Sequence, residues 1–258
     1  MIKSICVDQN IKQFLRNKIE NMLKMNISKD FDYIINNTSD LEFYAYYHNL
    51  FIKSPLYKNF EINKTKYQKD LYKKKFEIIK TMTNIKNKYI LDIGQEDGYY
   101  AKLYNDNGAK MEGINVDLTM NYKGDKSSIK IYDGVNIPFD NDTFDIVIIH
   151  MVLHHVINNW KELLKDIYRV LKKDGVLIIE DHDFKDDKHN ALIDIYHCLY
   201  EMVESVDYNV KYYNEYTIRR FRKEELLEEL KNIGFVNPKL TMMKHTMLNK
   251  FYLIINKK

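Results

Sequence analysis

The sequence predicts an α/β protein: a doubly wound mixed sheet, mostly parallel, closed by a C-terminal antiparallel hairpin and preceded by a helical extension. Three observations carry this. Residues 1 to about 88 space their apolar side chains as helices do and hold no strand-like alternation. From about residue 89 onward, short apolar runs alternate with helical stretches, the pattern of βαβ crossovers. The first of those runs, Tyr89-Ile90-Leu91-Asp92-Ile93, ends in the glycine-bearing turn Gly94-Gln95-Glu96-Asp97-Gly98, and a helix follows at once. Strand–loop–helix units of this kind seat nucleotide-like ligands at a helix N-terminus.

The elements follow in order. Ile11, Phe14, Leu15, Ile19, Met22 and Leu23 recur on one helical face. Ser28-Lys29-Asp30 offers a start for a helix over 31–36, and Ser39 and Asp40 for one over 41–51. Pro55 interrupts the chain, and a longer helix runs over about 64–82. Strands are expected at 89–93, 110–116, 129–132, 144–149 and 175–180, with helices at about 99–105 and 158–171 between them. Ile146-Val147-Ile148-Ile149 is continuously apolar, as a strand covered on both faces is. Lys172-Lys173-Asp174-Gly175 reads as a tight turn closing a helix. Helices at 191–206 and 222–233, the second stopped by Gly234, lead to strands at 239–244 and 250–255. The division expected is a helical extension over 1–85 and a sheet domain over 86–258.

Bulk properties narrow the classes. The chain has 258 residues, 45% hydrophobic and 30% charged, the composition of a soluble globular protein. It has no apolar run of about 18 residues, and its first ten residues are too polar for a signal peptide, so neither membrane association nor secretion is expected. Cys6 and Cys198 are the only cysteines and lack metal-type spacing, so no metal site is expected and a reducing, cytoplasmic setting is favoured. The net charge of +3 decides little about partners. The abundance of Lys, Asn, Ile and Tyr points to an AT-rich coding genome, which by itself interleaves lysine with tyrosine.

Candidate ligand residues sit where open α/β sheets bind, at the carboxyl ends of strands. The second strand ends Gly113-Ile114-Asn115-Val116-Asp117. In cofactor-binding βαβ units an acid near this point takes the ribose hydroxyls. Asn115 stands there instead and can still hydrogen-bond a hydroxyl, without charge assistance; Asp117 lies two residues on and is equally well read as a solvated strand end. The third strand runs to Asp133-Gly134, and Pro138-Phe139 leads to Phe144-Asp145-Ile146-Val147.

That order resembles the class I S-adenosylmethionine-dependent methyltransferases, in particular small-molecule and ubiquinone-biosynthesis-type members, over roughly residues 75–258. Val152-Leu153-His154-His155, Trp160, Tyr168-Arg169-Val170-Leu171-Lys172-Lys173-Asp174-Gly175 and Val176-Leu177-Ile178-Ile179-Glu180 continue it. Glu180-Asp181-His182-Asp183 and the helix after it also resemble methyltransferase-like proteins of large DNA viruses. The resemblance implies a Rossmann-like fold and S-adenosylmethionine as cofactor. It implies that Asp92, Gly94 and Gly98 surround the methionine and ribose portion and that Asn115 falls on the ribose position. It puts Asp133, with Gly134 beside it, at the adenine amine, and His150 in the wall of the cofactor and acceptor pocket. Two positions depart from the family: Glu96 replaces a loop glycine, and Asn115 replaces an acid. Glu96 can approach the cofactor's ammonium or crowd its carboxylate, so a catalytically degenerate scaffold is the alternative reading. A dinucleotide fits less well, because Glu96 and Asp97 would repel its phosphates.

Methyl transfer is an in-line displacement that positioning alone can accelerate; a base is needed only where the acceptor loses a proton. His155 after the fourth strand, and Asp181 with His182 after the fifth, are the candidates. A structural role for the His154-His155 pair explains the same residues. Asp194, His197 and Glu201 share a helix face that either adds to the same pocket or, the reading favoured, is solvated. The acceptor expected is a small molecule or RNA, with cap structures among the latter and no DNA. Arg219-Arg220-Phe221-Arg222 and the Lys/Tyr-rich segment 64–75 suit phosphate and bases, although codon bias accounts for them too. The N-terminal helices are expected to serve as a lid, an acceptor surface or a contact for a partner or a second copy.

Overall fold

The computed structural model describes residues 2–95, 98–116, 129–197, 218–243 and 248–258. Glu96, Asp97, Asp117, Cys198 and Glu201 lie outside the described residues. The chain divides into two compact units, Met1–Tyr67 with Phe184–Tyr216, and Gln68–Asp183 with Thr217–Lys258.

The first unit is helical. It contains α1 (Ile2–Ile5), α2 (Gln9–Leu23), α3 (Ser28–Asn37), α4 (Asp40–Lys53), the start of α5 (Pro55–Met82), and α8 (Asp187–Tyr196). Asp8 caps α2 by accepting from the backbone N–H groups of Asn10 and Ile11. Ser39 and Glu42 close a reciprocal capping box on α4. Ser28 is the first residue of α3 rather than its cap; the capping position falls on Ile27, which offers no side-chain acceptor. Pro55 opens α5 instead of merely interrupting the chain: proline tolerates the first helical position, where its missing N–H has no partner to lose. Ser54 Oγ accepts from the Tyr57 N–H just inside that turn. Phe31, Phe43, Tyr47 and Phe51 fill the interior, the rings of Phe43 and Tyr47 4.8 Å apart. Cys6 is a buried free thiol, and burial raises its pKa to about 11. Asp194 and His197 are buried, so the solvated face expected for them is not observed.

The second unit holds the seven-stranded sheet, ordered β3-β2-β1-β4-β5-β7-β6. Its strands are β1 (Tyr89–Ile93), β2 (Lys110–Asn115), β3 (Ile129–Ile131), β4 (Phe144–His150), β5 (Leu171–His182), β6 (Phe235–Met242) and β7 (Lys250–Lys257). Helices α6 (Tyr99–Asp106), α7 (Trp160–Val170) and α9 (Lys223–Ile233) and a 3-10 turn at Leu153–His155 connect them. The first five strands are parallel; β7 inserts antiparallel between β5 and β6. This is the doubly wound mixed sheet with a C-terminal hairpin that the sequence predicts. Side-chain alternation explains the apolar run in β4. Val147 and Ile149 enter the core formed with Leu163, Ile167 and Leu230, whereas Ile146 and Ile148 enter the opposite core with Phe76, Ile79 and Tyr104.

Two local features depart from the simple pattern. Lys172-Lys173-Asp174-Gly175 is a bulged excursion inside β5, not a turn before it: Phe144 pairs with Leu171, but Ile146 pairs with Val176. Asp174 takes φ 61°, and a Cβ on Gly175 would lie 2.7 Å from the Lys172 carbonyl oxygen, so only glycine closes this excursion. On the outer strand β6 the register shifts between Val236 and Lys239, around Asn237 (φ 56°) and Pro238.

Asp145 ties the bottom of the sheet. Its Oδ2 accepts from the Tyr89 N–H at 2.9 Å and from Lys172 Nζ at 3.1 Å. Partial burial opposes its charge, but these bonds outweigh it and hold the carboxyl below its ordinary 3.8. A depressed carboxylate pKa contributes stability above the unfolded value and loses it as pH falls through the folded one. Asp145→Asn should therefore lower urea stability at pH 7 by about 1 kcal/mol, and the variant should lose less on acidification below pH 3.8 than the parent does.

Candidate active site

The carboxyl ends of β1, β2, β3 and β4 meet around a cavity of about 300 Å³, lined by Gly94, Asn115, Val116, Tyr132, Asp133, Gly134, Val135, Val152, His155, Val156, Ile157, Asn158 and Asn159. Five of the residues singled out in the sequence share this wall: Gly94, Asn115, Asp133, Gly134 and His155. Backbone conformation and packing explain the first. Gly94 takes φ +82°, and a Cβ there would lie 2.4 Å from Val152 Cγ2, so the chain after β4 can close onto the chain after β1 only if residue 94 has no side chain. Gly98 takes φ 71° as the cap of α6, with no side-chain capping bond. The turn is clipped to β2, since the N–H groups of Gly94 and Gln95 both donate to the Ile114 carbonyl.

Asn115 works first as a structural clamp. Its Nδ2 donates to the Gln95 carbonyl at 3.1 Å, and its Oδ1 accepts from the Val116 N–H at 2.8 Å. An aspartate could not make the first bond, which gives a local reason for the amide. One N–H and one lone pair remain for another partner. Asp133 organises the next loop: Oδ1 accepts from the N–H groups of Val135 (2.8 Å) and Asn136 (2.6 Å), and Oδ2 from Asn136 Nδ2 (2.5 Å). The bonds from Asn136 and Val135 keep this exposed carboxyl below the ordinary range. A carboxylate has about four acceptor sites, so about one remains for a donor in the cavity.

The loop behind Asp133 is held from α7. Arg169 donates to the Phe139 carbonyl (2.8 Å) and the Ile137 carbonyl (2.9 Å), while Asp166, paired with Arg169, accepts from the Ile137 N–H at 2.6 Å. The Pro138-Phe139 and Tyr168-Arg169 stretches, distant in sequence, are thus two halves of one clamp. Phe139 packs against Phe144 with centroids 4.8 Å apart.

Other candidates lie outside the cavity wall. Asp92 is buried on β1. His150 belongs to a buried polar chain: Lys75 Nζ lies 3.0 Å from Glu180 Oε2, which lies 3.0 Å from His150 Nδ1; His150 Nε2 lies 2.8 Å from Tyr100 Oη, and Tyr104 Oη is 3.2 Å further. The carboxylate can only accept, so Nδ1 carries the proton and Nε2 accepts from Tyr100. Burial lowers the His150 pKa, so the ring is neutral at pH 7. Burial alone would raise Glu180, but Lys75 and His150 hold it well below the carboxylate range. No residue-type signal pairs Lys75 with Glu180; helical amphipathicity only hides Lys75 among its lysine neighbours.

Asp181 and His182 are fully buried. Asp181 Oδ1 accepts from His154 Nδ1 at 2.7 Å and from the His182 N–H at 2.7 Å, and Oδ2 accepts from the His154 N–H at 3.3 Å. The buried His154 ring packs 4.1 Å from the ring of exposed His155. Asp183 pairs with Lys223 at 2.9 Å. In the basic segment, Arg219 stacks 4.1 Å over Trp160, pairs with Glu225 and donates its N–H to the His154 carbonyl, and Phe221 is buried. A structural role is therefore evident for Arg219. One buried polar group, in the turn beside Gly94 but outside the cavity lining, went unmarked in the sequence. Gln95 is 2% exposed, and among the described residues its carboxamide Oε1 and Nε2 have no hydrogen-bond partner.

Comparison with known proteins accords with this geometry. The family described as "Methyltransferase domain" matches residues 67–240. An uncharacterised protein of Methanocaldococcus jannaschii is 31% identical over 102 residues, 40% of this chain and 44% of that protein; the chain thus matches less than half the length of this relative. Solved structures of S-adenosylmethionine-dependent methyltransferases share the fold. One from Archaeoglobus fulgidus has a TM-score of 0.56 at 16% identity, covering 73% of this chain and 94% of that one. One from Thermotoga maritima has a TM-score of 0.54 at 18% identity, covering 77% and 98%. The chain belongs to the methyltransferase-domain family, and it shares the fold of S-adenosylmethionine-dependent methyltransferases.

The buried chain gives a stability test. Lys75→Met removes the cation that pairs with buried Glu180 and should cost about 3 kcal/mol in urea unfolding, while the double variant Lys75→Met/Glu180→Gln should recover a large part of that loss.

Proposed function

We propose that this protein is a methyltransferase that uses S-adenosylmethionine to methylate a small molecule or an RNA. The observation that carries the reading is the cavity at the strand ends, where Gly94, Asn115, Asp133 and His155 share one wall. The residues suit the cofactor. Gly94 lines the cavity, Asp133 keeps about one acceptor site for an adenine amine, and Asn115 keeps a donor and an acceptor for ribose hydroxyls. Val116, Val135 and Ile157 supply apolar cover for a base. When bound, S-adenosylmethionine supplies an electrophilic methyl group on a sulfonium.

His155 is the group we assign to proton removal from the acceptor, because it alone of the candidate bases lines the cavity. Asp181 orients His154, and the His154 ring supports His155 from behind, which gives Asp181 a positioning role. His182 shares that support through its N–H to Asp181. His150, held neutral, stiffens the end of β4 beside the cavity residues. A degenerate scaffold is the second reading, favoured only by the departures at Glu96 and Asn115. The bonds made by Asn115 supply a local reason for its amide, which weakens that argument. The acceptor class, a cytoplasmic setting and the use of the N-terminal helices for a protein partner or self-association are parts of the same proposal. No described helix is long and apolar enough to cross a membrane.

Calorimetry tests the reading directly. S-adenosylhomocysteine should bind the full chain, and Asp133→Ala should weaken it by about tenfold, the worth of one charge-assisted hydrogen bond. No binding of either S-adenosylmethionine or S-adenosylhomocysteine would reject it. Once an acceptor is in hand, His155→Ala should lower kcat by about 100-fold or more while leaving cofactor binding unchanged, if the acceptor must lose a proton.

A further inference from the structure

The β6–β7 hairpin is apolar on both faces. Phe251, Leu253 and Ile255 join the core that Leu226 and Leu230 of α9 complete. Tyr252 and Ile254 belong to the other side, with Phe76 and Ile79 of α5. On that second side the layer is not filled. A cavity of about 650 Å³ lies between the last turns of α5, at Ile78, Thr81 and Met82, and the hairpin, at Lys239, Thr241, Tyr252 and Ile254. Its size falls within the range of about 300–1,000 Å³ common for small-molecule sites. It shares no lining residue with the cavity at the strand ends.

The shift in β6 decides what this cavity presents. Val236 stands opposite Asn256 and Lys239 opposite Ile254, so β6 advances three residues while β7 advances two. The extra residue reverses which side chains share a face. Without it Pro238 would stand opposite Ile254, and Lys239 and Thr241 would turn to the α9 side. With it, Lys239 pairs across with Ile254 and Thr241 with Tyr252, both on the α5 side. Among the described residues Lys239 is the only charge in the lining and has no ion pair, and no carboxylate lines the cavity. Thr81 makes no polar demand there, because its hydroxyl donates to the Ile78 carbonyl at 2.6 Å. The lining is therefore an apolar surface with one cation and the Thr241 hydroxyl on a single edge. Met82, Met242 and Met243 add flexible side chains that adapt to an irregular apolar body.

We propose that this cavity binds an amphiphilic acid: a hydrocarbon body that carries one carboxylate. The body covers Ile78, Met82, Tyr252 and Ile254. The carboxylate pairs with Lys239, and the Thr241 hydroxyl is a second donor beside it. A single cation matches a single negative charge, which favours a carboxylate over a doubly charged phosphate. The site is independent of the proposed methyl transfer.

Calorimetry on the full chain tests this with dodecanoate and hexadecanoate and with the alcohol of each length. The acid should bind about tenfold more tightly than its alcohol, the worth of one charge-assisted hydrogen bond. Lys239→Met should bring the acid down to the affinity of the alcohol and leave the alcohol unchanged. Thr241→Trp, which fills the cavity, should weaken both by about tenfold or more. Both positions are exposed on the outer strand, so the ligand-free melting temperatures should match the parent's; Lys239→Gln is the second variant should Lys239→Met not fold. Equal affinity for acid and alcohol, acid binding that survives either substitution, or no binding of either acid overturns the proposal. A dimer in sedimentation velocity that Thr241→Trp dissociates overturns it as well, because a second copy of the chain would then fill the cavity.

Discussion

Parallel pairing of β1 with β2 and with β4 is the constraint from which the site follows. The two registers bring Ile93, Ile114 and Ile149 side by side, so the chain leaves all three strands at one level. Whatever follows those strands must share a small volume. Gly94 makes that tolerable by yielding its side-chain space to Val152, and Gly113 does the same for Gln95 one strand over. The cavity is what remains between segments that have been brought this close. The loop that follows Asp133 is braced by the Arg169–Asp166 clamp on the Ile137–Phe139 backbone.

The buried end of β5 shows a second principle. Glu180, Asp181, His182 and Asp183 are four consecutive polar residues with almost no exposure. Burial of such a run is tolerable only if each charge is matched, and the matches come from different places. Lys75 on α5 meets Glu180, His154 after β4 meets Asp181, and Lys223 at the start of α9 meets Asp183. One strand thereby fixes three other segments by electrostatics, whereas the apolar faces of β4 fix the layers by packing alone. His150, neutral between Glu180 and Tyr100, links the two regimes at the strand end nearest the cavity.

What the sequence made legible was set by range. Hydrophobic period located β1 residue for residue and β2, β3 and β4 to within one residue, because a covered strand reads as an apolar run; β5, expected at 175–180, runs from Leu171 to His182. Turn chemistry at Gly94 and Gly98 was visible for the same local reason. Pro55 was readable as punctuation but not as a helix start, since both outcomes suit a proline; the choice lay with Ser54 and the turn that follows. The Lys172–Gly175 excursion has the composition of a turn, and only the pairing of Phe144 with Leu171 reveals it as a bulge within a strand. The Lys75–Glu180–His150 chain and the buried amide of Gln95 were opaque, because burial of a polar side chain depends on contacts far apart in sequence. Glu96, the departure most conspicuous in the sequence, lies outside the described residues, and the departure at Asn115 is accounted for by its own hydrogen bonds.

The outer strand β6 carries a consequence of a different kind. Pro238 has no N–H to offer, and the shift around Asn237 twists the strand out of ladder geometry. A chain approaching that margin finds a broken row of donors and acceptors, so the sheet resists recruiting a further strand there. The protein can thus keep a long, twelve-residue central β5 and a strongly apolar β7 without offering them as a template for fibril growth from this side.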